Sequence, residues 1–179
     1  VPKQTFEPVT RMKPGNAYTV RELLYEMTAK SDNYATILLL KNINAQLFKQ
    51  LFTDIGLKDP PETDMNFKIS PIDYSKFLRI LYNNTYLNAR DSEYALSILS
   101  ESTFRNGILQ GLPDNTTVAH KFGEFNDGPY KELHESGIIY LNNSPYLLTI
   151  MTEGNRINNM PQVLSGIAKI VSDMAPQLD

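Results

Sequence analysis

The stretch from Tyr18 to Leu40 constrains the fold most, because it encodes two helices that meet at a short polar segment. Thr19 and Glu22 have the spacing of a capping box, in which each side chain accepts a hydrogen bond from the other residue's backbone N–H. Apolar residues then recur at helical spacing before and after the tripeptide Ser31-Asp32-Asn33. The serine or the aspartate of this tripeptide is a suitable N-cap for the second helix. The sequence therefore predicts two buried helices joined by a polar elbow.

The apolar patterns along the rest of the chain place helices first and strands last. Three more helices are expected, with N-caps at Asn44, Ser70 and Ser92. Three strands are expected, over residues 118–123, 134–141 and 146–152. Residues 1–17 lack a helical period, and we expect them to form a loop lying on the helical part. This segregated order favours an α+β architecture.

A final helix is expected to begin at Pro161 and to pack across the sheet. Its predicted inward face consists of six apolar residues: Val163, Leu164, Ile167, Ile170, Val171 and Met174. The strand over 146–152 is strongly apolar, and pairing with the preceding strand alone leaves its other edge bare, which is an aggregation hazard. We therefore expect an unpaired strand edge on this side of the sheet.

The charge and composition exclude several classes of function. The formal net charge is −3 without a basic block, which argues against nucleic acid as a partner. No apolar run is long enough to span a membrane. The absence of cysteine excludes disulfides, thiolate catalysis and cysteine-based zinc sites. His120 and His134 lack the spacing of metal ligands, so we expect them to pack or to form hydrogen bonds, and we predict neither a metal site nor a cofactor.

A second motif gives the polar elbow a functional interpretation. The predicted strand over 118–123 contains Lys121-Phe122-Gly123, downstream of Ser31-Asp32-Asn33. This order resembles the penicillin-recognising serine hydrolases, the class A β-lactamases and their penicillin-binding-protein relatives, in which SDN lies on a helical lobe and a Lys-Thr-Gly triad on a strand. The similarity extends over almost the whole chain and includes YTVRELL, ISPIDYSKFLRILY and HESGIIY. It implies one incomplete β-lactamase-like domain, with a helical lobe over 1–114 and a sheet with its C-terminal helix over 115–179. The resemblance also implies that an N-terminal segment, or a second chain, completes the fold and covers the bare strand edge.

The resemblance implies a role for each residue of the two motifs. Ser31 would relay a proton between the nucleophile and the leaving nitrogen, and Lys121 would hydrogen-bond Ser31 and supply positive potential. Asn33 would orient the lysine of the nucleophile motif and hold a substrate amide. Asp32 would brace the turn without a chemical role.

The lysine triad would also form the substrate edge of the strand. Gly123 has no side chain, so a substrate can approach closely. The backbone N–H of Glu124 would be one oxyanion donor, and such donors contribute roughly 3–4 kcal/mol. Phe122 departs from the family pattern, because a hydroxyl residue usually binds the substrate carboxylate there. Phe122 would line the substrate site without supplying that hydroxyl, which argues against ordinary β-lactam recognition.

The nucleophile motif and the deacylating pair of the family are matched less well than the SDN and lysine motifs. The nucleophile should be the serine of an S-x-x-K motif, yet no serine of this chain has a lysine three residues later. Glu62 and Asn66 have the spacing of the family's deacylating pair, but the surrounding sequence differs, and a solvated loop carboxylate is the competing interpretation of Glu62. We expect the nucleophile to lie outside these 179 residues.

Three functions therefore stay open. The first is a serine hydrolase that acts through an acyl-enzyme on β-lactams or on D-Ala-D-Ala-type cell-wall peptides, with this chain alone inactive. The second is a non-catalytic protein of the same fold that binds cell-wall peptide or a partner protein. The third is an unrelated helical interaction domain, in which SDN is only a cap. The resemblance also implies an extracytoplasmic location.

Overall fold

A computed structural model describes residues 4–8, 10–13, 15–58, 60, 67–141 and 144–174. Helices in this part of the chain are α1 (Val20–Thr28), α2 (Asn33–Asn42), α3 (Ala45–Asp54), α4 (Pro71–Tyr82), α5 (Ala89–Ser100) and α6 (Met160–Met174). The strands are β1 (Thr117–Phe125), β2 (Lys131–Tyr140) and β3 (Tyr146–Gly154). Short 3-10 helices cover Ile108–Gly111 and Ile157–Asn159. The α+β prediction is confirmed, while the boundary near residue 114 stays a prediction.

The three strands form one antiparallel sheet in the order β1-β2-β3. One face carries Val118 and Ile139 and packs with Leu164 of α6 and with the 3-10 helix Ile108–Gly111. The other face packs against α4 and α5. The sheet is therefore covered on both sides, as its nearly continuous burial along β2 requires.

The outer edge of the sheet at β3 is the one that the sequence predicted to be bare. Among the described residues, β3 pairs with β2 alone, which confirms the predicted bare edge.

The inward face predicted for α6 is partly wrong, because Val163, Ile170 and Met174 are 47%, 62% and 52% exposed. The residues that α6 buries are Met160, Pro161, Leu164, Ala168 and Ser172. A six-residue face is too wide for a helix that contacts the sheet along one narrow stripe.

Local capping rules account for most helix starts. Thr19 and Glu22 form the predicted capping box, and Asn44 and Ser70 cap α3 and α4 as expected. The prediction for Ser92 is wrong. The helix begins earlier because Asn88 accepts a hydrogen bond from the backbone N–H of Asp91 and caps α5.

Ser92 instead lies inside α5, fully buried, and its hydroxyl has no hydrogen-bond partner in the described part of the chain.

The N-terminal loop also differs from expectation, because it contacts the sheet as well as the helices. The backbone N–H groups of Thr5 and Phe6 donate to the Glu124 carboxylate on β1. The loop therefore connects the two parts of the molecule. The link between β2 and β3 lies partly outside the described residues.

The polar elbow is built around Asp32, which is 1% exposed and caps α2. Its carboxylate accepts hydrogen bonds from the backbone N–H groups of Tyr34 and Ala35 at 2.7 and 3.1 Å. Its second oxygen accepts one from Met12 at 3.2 Å. Ser31, just before it, has a φ of 56°, in the left-handed region. Asp32 therefore fixes the turn that presents Ser31.

We predict that Asp32→Ala destabilises the chain by about 2 kcal/mol, the upper end for loss of a helix cap, because the lost carboxylate also serves Met12. Asn44→Ala is the matched control, since Asn44 is an exposed cap that serves only α3, and it should cost about 0.5–1 kcal/mol. Urea unfolding followed by circular dichroism measures both changes. An equal or larger loss for Asn44→Ala would contradict this account of the elbow.

Candidate active site

Ser31 and Lys121 meet between the helices and the sheet, although they are 90 residues apart in sequence. Lys121 Nζ donates a hydrogen bond to Ser31 Oγ at 2.7 Å. Ser31 is placed by the α1–α2 elbow, and Lys121 projects from the middle of β1. The predicted convergence of the two side chains is confirmed. It excludes the interpretation in which SDN is only a cap and Lys121 only a surface charge.

Two further contacts hold the Lys121 ammonium group. Nζ donates to the carbonyl oxygen of Phe122 at 2.7 Å, and it lies 4.5 Å from the centroid of the Phe122 ring. A cation over an aromatic face is attracted by the ring's quadrupole. The lysine is therefore held at a fixed place above its own strand.

Burial lowers the pKa of Lys121 to about 8, because the ammonium form loses hydration. The carboxylates of Glu135 and Glu124 act in the opposite direction and favour the charged form. A lysine with such a pKa changes its protonation state close to neutral pH. The group can therefore give or accept a proton, as general acid–base chemistry requires.

Lys121 and Ser31 border a cavity of about 890 Å³ between the helices and β1. Asn33, Gly123 and Glu124 also line it, so the structure brings together all but one of the predicted catalytic residues. The remaining lining is largely apolar and comes mainly from α1, α4 and α5, including Leu24, Met27, Phe77, Leu78 and Leu99. Glu62, the remaining residue, and Asn66 lie outside the described residues.

Gly123 and Glu124 lie at the mouth of the site. Gly123 is exposed, and a Cβ added to it would meet nothing within 4 Å, so the strand is open to an approaching molecule. The role predicted for Glu124 concerned its backbone N–H, and that role stays a prediction. Its carboxylate has a function that the sequence did not reveal, because it accepts hydrogen bonds of 2.9 and 3.0 Å from Thr5 and Phe6.

Phe122, predicted to line the substrate site, is 5% exposed and belongs to an aromatic cluster. Its ring stacks on Phe104 with centroids 4.2 Å apart, and Phe6 meets it edge-on at 6.3 Å. The ring borders the cavity but is mostly committed to the core. A substrate contact by Phe122 stays a prediction.

The neighbouring histidines form hydrogen bonds, as expected. His120 Nδ1 lies 2.6 Å from Glu135 Oε1 in the core, and His134 pairs with Glu132 at 3.1 Å. Sequence analysis missed Glu135, because only the strand register shows that it lies on the same face as His120. Among the described residues, no group of three or more side chains could hold a metal ion. Within the same ranges, no helix has the length and apolar character needed to cross a bilayer.

Comparison with known proteins agrees with this geometry. Residues 5–175 match the sequence profile described as the beta-lactamase enzyme family. The chain belongs to this family. The predicted β-lactamase-like fold is thereby confirmed. No curated protein matches this chain at a significant level.

Solved structures show the same fold at low sequence identity. PBP-A is 22% identical with a TM-score of 0.75 over 93% of this chain and 65% of its own. A β-lactamase from Burkholderia vietnamiensis is 17% identical, with a TM-score of 0.76 over 92% of this chain and 65% of its own. A class A β-lactamase from Mycobacterium abscessus is 19% identical, with a TM-score of 0.74 over 97% and 71%. This family member therefore spans about two thirds of the length of these relatives.

We predict that Lys121 titrates near pH 8, more than about two units below a solvated lysine, because burial disfavours the ammonium form. The ammonium should dominate below about pH 7 and the amine above about pH 9. NMR of ¹³Cε-labelled lysine across this range measures the change, and the Lys121→Met variant identifies the signal by its loss. Titration of that signal above about pH 10 would contradict the prediction.

Proposed function

We propose that the site is part of a serine hydrolase that acts through an acyl-enzyme on β-lactams or on D-Ala-D-Ala-type cell-wall peptides. The observation that carries the proposal is the 2.7 Å hydrogen bond from Lys121 Nζ to Ser31 Oγ at the edge of the cavity. A serine hydroxyl in contact with a lysine of lowered pKa can pass a proton in either direction. Family membership supports the same class of chemistry.

Acyl transfer needs a proton to move twice. The nucleophilic hydroxyl loses a proton as its oxygen attacks the carbonyl carbon, and the departing nitrogen gains one as the carbon–nitrogen bond breaks. Ser31 Oγ can receive a proton on the nucleophile's side and release its own to the leaving nitrogen. Lys121 holds this hydroxyl in place and stabilises negative charge on the relay.

The nucleophile is proposed to come from an S-x-x-K segment outside these 179 residues, since no serine here has a lysine three residues later. The cavity of about 890 Å³ beside Ser31 has the volume and the apolar lining to receive such a segment. A mutant of PBP-A has been solved as an acyl-enzyme complex with penicillin G. That similarity supports β-lactams as the probe class for the complete protein.

Substrate and location follow as further parts of the proposal. Cell-wall peptides occur outside the cytoplasm, so the complete protein is proposed to act extracytoplasmically.

Deacylation is expected to be slow, because Phe122 removes the usual hydroxyl and Glu62 belongs to a loop whose sequence departs from the family pattern. Acyl-enzyme that persists in mass spectra would agree, whereas rapid turnover abolished by Glu62→Ala would contradict this expectation.

We predict that a fluorescent penicillin will not label the 179-residue chain covalently. A longer chain that includes an upstream S-x-x-K should be labelled at that serine, because it supplies both the nucleophile and its activating lysine. Mass spectrometry of tryptic peptides identifies the labelled residue. Stoichiometric labelling of the shorter chain at one of its own serines would refute the proposal.

In the longer chain, we predict that Ser31→Ala lowers the acylation rate by about 10²-fold or more, the usual contribution of a positioned proton carrier. Ser97→Ala is the matched control, because Ser97 is an exposed serine on α5 with a local bond to Tyr94, and it should leave the rate unchanged. Equal rates for Ser31→Ala and the parent would exclude Ser31 from the relay.

A non-catalytic, ligand-binding role is the second candidate, and Phe122 favours it. Its ring fills the aromatic cluster and offers no hydroxyl for a substrate carboxylate. A protein of this kind would bind cell-wall peptide or a partner protein without acylation. Reversible binding of a cell-wall peptide by the longer chain, without any covalent labelling, would favour this alternative.

A further inference from the structure

The backbone of Ser31 adopts an unusual conformation for a residue whose hydroxyl must be held in one place. Its φ of 56° lies in the left-handed region, which residues with a Cβ rarely adopt. Such a conformation persists only where the surrounding contacts hold it. On one side, Asp32 caps α2, and its N–H donates to the carbonyl oxygen of Glu26 at 2.9 Å. Contacts from outside the elbow can hold the other side.

Gln4 of the N-terminal loop supplies such a contact. Its Nε2 donates a hydrogen bond of 2.9 Å to the carbonyl oxygen of Ser31, which is 27 residues away in sequence. Gln4 also borders the cavity that Ser31 and Lys121 line. The carbonyl and the hydroxyl belong to the same residue, so a donor that fixes the carbonyl restricts the Ser31 backbone and thereby the direction of Oγ.

The segment that carries Gln4 is itself attached to the end of β1. The backbone N–H groups of Thr5 and Phe6 donate to the Glu124 carboxylate at 2.9 and 3.0 Å. Just after the strand, Asn126 Nδ2 donates to Thr5 Oγ1 at 2.6 Å. The segment therefore reaches from the strand that carries the lysine to the elbow that carries the serine.

We propose that Gln4 is a positioning residue that holds Ser31 in the conformation in which its Oγ meets Lys121 Nζ. Gln4 acts through the Ser31 backbone and carries no proton itself. The 2.7 Å hydrogen bond between Lys121 and Ser31 and the contact made by Gln4 thus join the same two parts of the molecule at separate places. The catalytic meaning of this inference rests on the proposed function, whereas the effect on the hydrogen bond is a property of this chain.

The Lys121 ammonium group reports whether Ser31 Oγ is in place. Nζ donates to this oxygen, so the hydrogen bond stabilises the charged form of the lysine. When Oγ turns away, the buried ammonium loses an acceptor and the neutral amine is favoured, so the pKa of Lys121 falls. If Gln4 only fastened the loop, its loss would leave this pKa unchanged.

The test is a double-mutant cycle in the 179-residue chain, with Gln4→Met, Ser31→Ala and the two combined. Gln4→Met keeps a side chain of similar length and removes the N–H donor. We expect the pKa of Lys121, measured by NMR of ¹³Cε-labelled lysine, to fall by about half a unit in Gln4→Met and by about one unit in Ser31→Ala. In the Ser31→Ala background, Gln4→Met should cause no further fall.

Gln50→Met is the matched control, because Gln50 is an exposed glutamine on α3 whose Nε2 donates to Asp54 at 2.7 Å. It should leave the pKa of Lys121 unchanged. An unchanged pKa in Gln4→Met would overturn the inference. An equal fall with and without the Ser31 hydroxyl would also overturn it, because Gln4 would then act on Lys121 by another path.

In the longer chain, Gln4→Met should slow acylation by about tenfold, less than Ser31→Ala, because the hydroxyl is displaced but still present. The combined variant should be no slower than Ser31→Ala alone, since residues that act as a unit are not additive. An acylation rate that Gln4→Met leaves unchanged would contradict the catalytic part of the inference. If penicillin does not label the longer chain at all, the proposed function fails, while the cycle in the shorter chain still tests Gln4.

Discussion

The structure depends on the burial of one ammonium group, that of Lys121, between the helices and the sheet. Lys121 comes from a strand and Ser31 from a helix–helix elbow, and their 2.7 Å hydrogen bond joins the two. A buried ammonium loses hydration, so every group that contacts it must contribute to its stability. The Ser31 hydroxyl, the Phe122 carbonyl and the Phe122 ring do so by contact. These contacts offset the effect of burial only in part. Burial still lowers the pKa of Lys121 to about 8, which makes the lysine reactive near neutral pH.

The N-terminal loop contributes to the same junction from outside. Gln4 Nε2 donates to the carbonyl oxygen of Ser31 at 2.9 Å, and the next two residues donate to Glu124. The loop therefore connects the serine's elbow to the lysine's strand. Glu124 is at once a neighbour of the ammonium and an anchor of the loop, so the position of the loop and the charge of the site are physically linked.

Sequence reasoning succeeded where the deciding interaction is local. The capping box of Thr19 and Glu22, the Asp32 cap and the three strands depend on residues within a few positions of one another. It failed at Ser92, because Asn88 is an equally good cap one turn earlier and only the packing of α5 decides between them. The Glu135–His120 pair could not be predicted either, since a shift of one residue in the β1–β2 register would place the two side chains on opposite faces.

Phe122 departs from the family pattern, and it also stabilises the buried ammonium group of Lys121. A hydroxyl residue at this position could bind a substrate anion, but it would add nothing to the core. The phenylalanine ring packs against Phe104 and Phe6, and it also places an aromatic face near the Lys121 ammonium. The substitution thus exchanges an anion-binding hydroxyl for core packing and for a contact that stabilises the lysine's charge. Glu124 also brings a carboxylate to the mouth of the site. Phe122, which lacks a hydroxyl, and Glu124 therefore both reduce the attraction of the site for anionic substrates.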